Sequence, residues 1–393
     1  MPKNIVFCAD GTWNDPDKDV NKDKIADHTN VYKLFSCLDG ENTGSPSKME
    51  QEKILKSEGE IKQVAKYLHG VGSSNNWLSQ AAGGAFGAGV ISRIVRGFTF
   101  ISRNYEKGDS IFLVGFSRGA YTARALAGLI SSQGLLNPSQ IKDNDLRKAY
   151  SLGTKAWCSY RASGPGVGWQ EYLEKRFNMD FGIDLQGNNT FKQLLKPALR
   201  ETDLIPIDKI AAVAVWDTVG AMGIPNYNQE GVRVDQFQFT DMTLSNKVGT
   251  GLHAVALDEQ RNDFTPALWD PASNVTQLLF PGAHSDVGGG YPTSNNESGL
   301  SDIALEWMIK NLVDIDVAFS QDKVKQITPD PGGVAHKPWE ELPWTLPIFK
   351  SAPRTFPSHL KEHPSIEQRA VMDKVVAHPG EPAGQYKPTN RPS

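Results

Sequence analysis

Apolar residues along the chain gather in two patterns, short unbroken runs and repeats at three- and four-residue steps, and the two patterns alternate. Asn4–Ala9 is an unbroken run that stops at Asp10-Gly11-Thr12, which predicts a buried strand ended by turn residues. Residues 110–114 and Ile210–Trp216 have the same character and predict buried strands, the first covered on both faces, while residues 252–257 and 276–280 read as further strands. Helical spacing appears over Asn30–Cys37, with Thr29 or Asn30 as its cap. It recurs at Val90, Ile94, Phe98 and Ile101, ending near Tyr105, and again over residues 120–132 through Ala123, Leu126, Ala127 and Ile130. Strands alternating with helices predict an α/β fold around a mainly parallel sheet.

Between these elements the pattern loosens. Residues 15–60 are charged and read as surface, apart from the helix just named. Residues 77–89, rich in Gly and Ala, read as a loop and helix start that could also serve as a lid. Residues 137–206 hold aromatic and charged helical pieces broken at Gly164-Pro165-Gly166, which predicts a helical cap inserted over the core and carrying substrate contacts. The expected organisation is one catalytic domain over residues 1–315, followed by an irregular C-terminal extension over 316–393 with weak strand signal only at residues 344–349.

Composition narrows the function classes. A formal net charge of −4 shows no basic bias, so a nucleic-acid partner is not expected. Met1-Pro2-Lys3-Asn4 leads into a strand rather than an apolar leader core, and no run reaches the length of a membrane span; cytoplasmic synthesis without a signal peptide is the expectation. Cys8, Cys37 and Cys158 are few and far apart, which predicts buried free thiols rather than disulfides or metal ligands.

The candidate chemistry lies just past strand ends. Gly115-Phe116-Ser117-Arg118-Gly119 joins a predicted strand to a predicted helix, and Gly115 and Gly119 leave room for a strained turn that presents Ser117. A serine hydroxyl needs an imidazole base, and the base needs a carboxylate to fix its tautomer. In α/β hydrolases these follow the nucleophile in the order acid then histidine, each past a strand end, and Asp217 and His284 satisfy both conditions. Asp258, Glu259 and Asp286 compete with Asp217 for the acid; Asp286, beside His284, also suits a turn-stabilising or loop-orienting role. The oxyanion formed on an ester needs amide donors, for which Arg118 and either Gly11 or Thr12 are candidates, with Asp10 bracing the early loop. Asp10-Gly11-Thr12 is also similar to a phosphatase loop, but Cys8 occupies the place of the aspartate nucleophile, which removes the covalent step. No metal or organic cofactor is expected.

Asp10-Gly11-Thr12-Trp13-Asn14, Asn30-Val31-Tyr32-Lys33-Leu34-Phe35, Gly70-Val71-Gly72, residues 115–124, Trp216-Asp217-Thr218-Val219, Ala256-Leu257-Asp258-Glu259 and residues 284–291 occur in one order over residues 4–310. Together they resemble the first lipase class of the phospholipase effectors of bacterial type VI secretion. The resemblance implies an α/β-hydrolase fold and a Ser117-Asp217-His284 triad. It also implies cleavage of phospholipid esters, expected to be of A type. Further implications are transient contact with a membrane surface, the secretion machinery and an immunity protein as partners, and export by type VI secretion. Alternatives are a housekeeping carboxylesterase or lipase on other esters, and a non-catalytic lipid- or partner-binding protein on the same scaffold.

Overall fold

The computed structural model of the protein describes residues 2–11, 19, 23–47, 50–70, 85–141, 145–162, 199–220, 226–227, 233–234, 242–347 and 349–392. Its centre is a nine-stranded sheet made of β1 (Asn4–Ala9), β2 (Glu41–Ser47), β3 (Glu50–Ser57), β4 (Glu60–Leu68), β5 (Ser110–Phe116), β6 (Ile210–Trp216), β7 (Val248–Ala256), β8 (Val275–Phe280) and β9 (Lys361–Glu362). The spatial order is β9-β8-β7-β6-β5-β1-β4-β3-β2. Every pairing from β9 to β4 is parallel, while β3 and β2 extend that edge antiparallel. The runs read as buried strands, now β1, β5 and β6, lie in its interior. In β1, Ile5, Phe7 and Ala9 enter the core on one face, and Val6 and Cys8 enter the core on the other. Each fully buried side chain of the size of Phe7 or Ile5 stabilises by roughly 1.5–3 kcal/mol.

The helices are α1 (Asn30–Cys37), α2 (Ala85–Asn104), α3 (Arg118–Gln133), α4 (Leu146–Ala162), α5 (His284–Gly288) and α6 (Gly299–Val313). α2, α3 and α4 pack against one face of the sheet, α1 and α6 against the other. α1 starts where the Thr29 hydroxyl accepts a hydrogen bond from the Tyr32 amide, as a cap should. Its far end is closed by Lys53 of β3, whose Nζ donates to the carbonyls of Phe35, Ser36 and Leu38 at 2.8, 2.8 and 3.0 Å.

Three expectations are corrected. Residues 15–60 are not surface with a single helix, because β2 and β3 run through them and join β4 in the sheet. Part of the expected cap belongs to the core layer: Ala149, Ala156 and Trp157 of α4 are buried among α2 and α3, while residues 142–144 and 163–198 lie outside the described residues. Of residues 344–349, which carry a strand signal, residues 344–347 form turns. The segment past Asp314 has few regular elements, but it is packed into the molecule. β9 pairs with β8, and Arg369, 1% exposed, donates to the carbonyls of Pro331, Gly333 and Val376. Cys8, Cys37 and Cys158 are buried free thiols.

Candidate active site

In a parallel sheet the loops past the carboxyl ends of the strands share one rim, and that rim gathers the polar residues singled out above. β5 ends at Phe116, and Ser117 then takes φ 58° and ψ −122° before α3 begins at Arg118. This left-handed backbone is strained for a residue with a Cβ, at a cost of about 1–3 kcal/mol. The flanking glycines are what make the turn possible. A Cβ on Gly115 would lie 2.3 Å from the Gly119 carbonyl oxygen, and one on Gly119 would lie 2.0 Å from that of Ala9. The second contact also shows how tightly the start of α3 is pressed against the loop after β1.

Asp217 follows β6 with φ 33°, and His284 opens α5 after β8. The Ser117 hydroxyl lies 2.8 Å from His284 Nε2, and His284 Nδ1 lies 2.5 Å from Asp217 Oδ2. An Nδ1–H directed at the carboxylate leaves the Nε2 lone pair to accept the serine proton. Asp217 is fully buried, His284 is 4% exposed and Ser117 6%. The Phe116 ring centroid is 4.6 Å from that of His284, and Phe264 meets the imidazole edge-on at 4.9 Å, so two aromatic walls keep water from it.

Burial lowers the proton affinity of His284 and outweighs the raising influence of Asp217, which favours the unprotonated ring a base requires. Burial alone would push the Asp217 carboxyl up, but the Arg354 guanidinium and His284 hold it well below the usual carboxylate range. Arg354 reaches Asp217 with both ends of its fork, Nη1 to Oδ1 at 2.8 Å and Nη2 to Oδ2 at 2.9 Å. The Ala256 amide donates to Oδ1 at 2.9 Å. Beside the histidine, Glu259 accepts from the His284 amide at 3.2 Å and from both ends of the Arg261 guanidinium. Burial would raise the Glu259 carboxyl, yet Arg261 draws it down to about 2. Behind Asp217, His253 of β7 accepts from the Thr218 amide at 3.1 Å; burial pushes its ring down to about 3.

The remaining predicted residues fall as follows. Asp10 braces the loop after β1, taking the Thr29 and Tyr67 hydroxyls at 2.7 Å each and the Gly11 amide at 2.6 Å; burial raises its carboxyl to about 6. The Gly11 N–H is therefore committed to Asp10 in this arrangement rather than directed at a substrate oxygen, and Thr12 lies outside the described residues. Arg118 occupies the first position of α3, directly after Ser117. Asp286 does not touch the His284 ring. Its Oδ2 accepts from the amides of Ala283 and His336 at 2.8 and 3.0 Å, and its Oδ1 meets His336 Nδ1 at 2.7 Å, which ties the α5 turn to the C-terminal segment. Residues 77–84 of the suggested lid are likewise outside the described residues.

Sequence reasoning missed Arg354, Arg261 and His336. Arg354 stands in Ala352-Pro353-Arg354-Thr355, where nothing periodic marks it, and no pattern in a single sequence points from there to Asp217.

A mostly parallel sheet with a serine held at a left-handed turn between strand and helix, and with later loops returning a carboxylate and an imidazole to it, defines an α/β-hydrolase-like protein. Residues 3–311 match the family described as "T6SS, Phospholipase effector Tle1-like, catalytic domain", and the chain belongs to it. It is 24% identical over 292 residues to the uncharacterized protein YEL023C of Saccharomyces cerevisiae, covering 70% of this chain and 34% of that protein. Among solved structures, an uncharacterized protein from Pseudomonas aeruginosa has a TM-score of 0.45 at 18% identity, over 84% of this chain and 49% of that one. A Tle1 effector bound to the VgrG spike of the type VI secretion system has a TM-score of 0.37 at 16% identity, over 74% and 52%. The chain thus spans from about a third to about half the length of these relatives.

Proposed function

We propose that the protein is a serine hydrolase that cleaves the carboxylic esters of phospholipids, with Ser117 as nucleophile, His284 as base and Asp217 as its acid partner. The observation that carries this reading is the hydrogen-bonded line from Ser117 Oγ through His284 to Asp217, at 2.8 and 2.5 Å, mounted on a glycine-flanked elbow. As Ser117 Oγ attacks the acyl carbon, its proton passes to His284 Nε2, and Asp217 stabilises the imidazolium formed. The proton then goes to the leaving alkoxide, and the freed alcohol departs. Water attacks the acyl-serine with His284 again as base, releasing the fatty acid.

The Arg118 amide, as the residue after the nucleophile, is the first oxyanion donor in this scheme. The second comes from the loop after β1, once the Gly11 amide leaves Asp10 or Thr12 takes the role. Family membership supports lipid as the substrate class, and attack at an acyl ester of A type is the finer part of the proposal. Passage through a type VI secretion apparatus, transient contact with the target membrane and an immunity partner belong to the same reading.

Phospholipid vesicles and a short-chain soluble ester, each given to wild type and to Ser117→Ala, test it. The expected result is fatty-acid release from vesicles by the wild type and none by a folded Ser117→Ala variant. Turnover of the short ester alone would favour a general carboxylesterase, and unchanged turnover in Ser117→Ala would remove the mechanism altogether.

A further inference from the structure

Arg354 lies beyond the residues that match the family, and it reaches the site from a part of the chain with little regular structure. Its placement is nevertheless built. The backbone on either side of residue 351 is laced to the loop after β7, with the Asn262 amide donating to the Lys350 carbonyl at 3.0 Å and the Ala352 amide to that of Gln260 at 2.8 Å. The Asn390 side chain joins the Leu257 and Arg354 carbonyls at 2.7 and 3.3 Å. Arg354 is buried, 7% exposed. Besides gripping both Asp217 oxygens, it donates to the Ala256 carbonyl at 2.7 Å and to that of Phe264.

From this geometry we infer that Arg354 is a positioning residue for the triad: it holds the Asp217 carboxylate in the plane that receives His284 Nδ1–H and sets the pH at which His284 becomes protonated. The inference rests on the triad reading above.

Two effects are separable. The planar fork fixes both carboxylate oxygens at once, which a lysine ammonium cannot do. The positive charge offsets part of the Asp217 charge, so the Asp217–His284 pair binds its proton less readily than an aspartate–histidine pair left alone. That second effect does not depend on which partner carries the proton, because the pair titrates as a unit. Among the described residues, the other charged or titratable groups packed around the pair are Glu259, which accepts from the His284 amide, Arg261 on Glu259, and the neutral-leaning His253 behind Thr218. Arg354 also disfavours protonation of Glu259 and His253, but less than Arg261 does on the first and burial does on the second.

The test compares wild type, Arg354→Gln and Arg354→Lys in two readouts taken across pH. One is the acid limb of kcat/KM on a short-chain ester, per active site titrated with a fluorophosphonate. The other is the downfield proton resonance of His284 Nδ1–H, which reports the pair whether or not the enzyme turns over. In Arg354→Gln both midpoints should move up by about one pH unit, the lower end for one charge acting near a titrating group. In Arg354→Lys they should stay near wild type while kcat per site falls about tenfold or more, the charge being kept and the fork lost. Unmoved midpoints in Arg354→Gln, or full kcat in Arg354→Lys, would overturn the inference. If Gln does not fold, the Lys variant still decides it through kcat. Failure of the triad reading looks different: no Ser117-dependent turnover or labelling in wild type, while the His284 resonance still shifts on replacing Arg354.

Discussion

Asp217 and Asp286 lie on either side of the same histidine in the rim, and their surroundings separate them. Asp217 meets the ring; Asp286 meets the backbone of the turn that carries it. Asp217→Asn should lower kcat on the order of ten-thousandfold, since an amide favours the wrong imidazole tautomer. It should also lower stability by about 3–5 kcal/mol, because Arg354 is left as a buried cation without its carboxylate. Asp286→Asn should cost about 1–3 kcal/mol of stability through its amide partners and leave turnover per folded molecule far less affected. Steady-state kinetics beside thermal melts distinguishes the two, and the reverse kinetic ranking would move the acid role to Asp286. At this scale the sequence was informative where covalent geometry forces a residue type. Gly115, Ser117 and Gly119 stand in a fixed pattern because the turn admits no Cβ at either flank. Arg354 and His336 were illegible, since a long polar side chain that reaches across the fold leaves no periodic trace in its own segment.

Among the elements, the strands buried on both faces were readable because nothing but apolar residues survives there, as in β1, β5 and β6. β2 and β3 escaped notice for the opposite reason. β3 carries Glu50, Gln51, Glu52 and Lys53, so neither a clean alternation nor an apolar run marks it, and its buried lysine is made acceptable by the carbonyls at the end of α1 and the Phe35 ring beneath it. The tie between α5 and the C-terminal segment is electrostatic and should be sensitive to pH. Burial disfavours a charged His336 ring, but Asp286 and Glu297 prevail and raise its proton affinity. A raised histidine contributes stability that is fully present below the unfolded value near 6.5 and is lost as pH rises through the folded value. The stability deficit of His336→Gln relative to wild type should therefore be largest below about pH 6.5 and shrink toward alkaline pH. Urea melts at several pH values measure this, and a deficit that grows with pH would contradict the charged tie.

On the scale of the molecule, the rim is assembled from loops far apart in the chain and closed by the segment past Asp314. That segment supplies β9 along the edge of β8, His336 to Asp286, Arg354 to Asp217 and Tyr386 to Asp258 at 2.8 Å. A chain of residues 1–315 should consequently lack a cooperative melt or precipitate, since it exposes the β8 edge and strands the Asp217 charge, the latter alone worth about 3–5 kcal/mol. Differential scanning calorimetry of that fragment decides the matter, and a sharp transition near that of the whole chain would show the catalytic region to be self-sufficient.

Ribosomes make polypeptides from the amino end, so Ser117, Asp217 and His284 are all synthesised before the arginine that grips the aspartate. On the proposed assignment, a nascent chain carries nucleophile, base and acid while the acid still awaits its cation. The last part of the chain to be made is thus the part that, on the proposed reading, sets the aspartate in place.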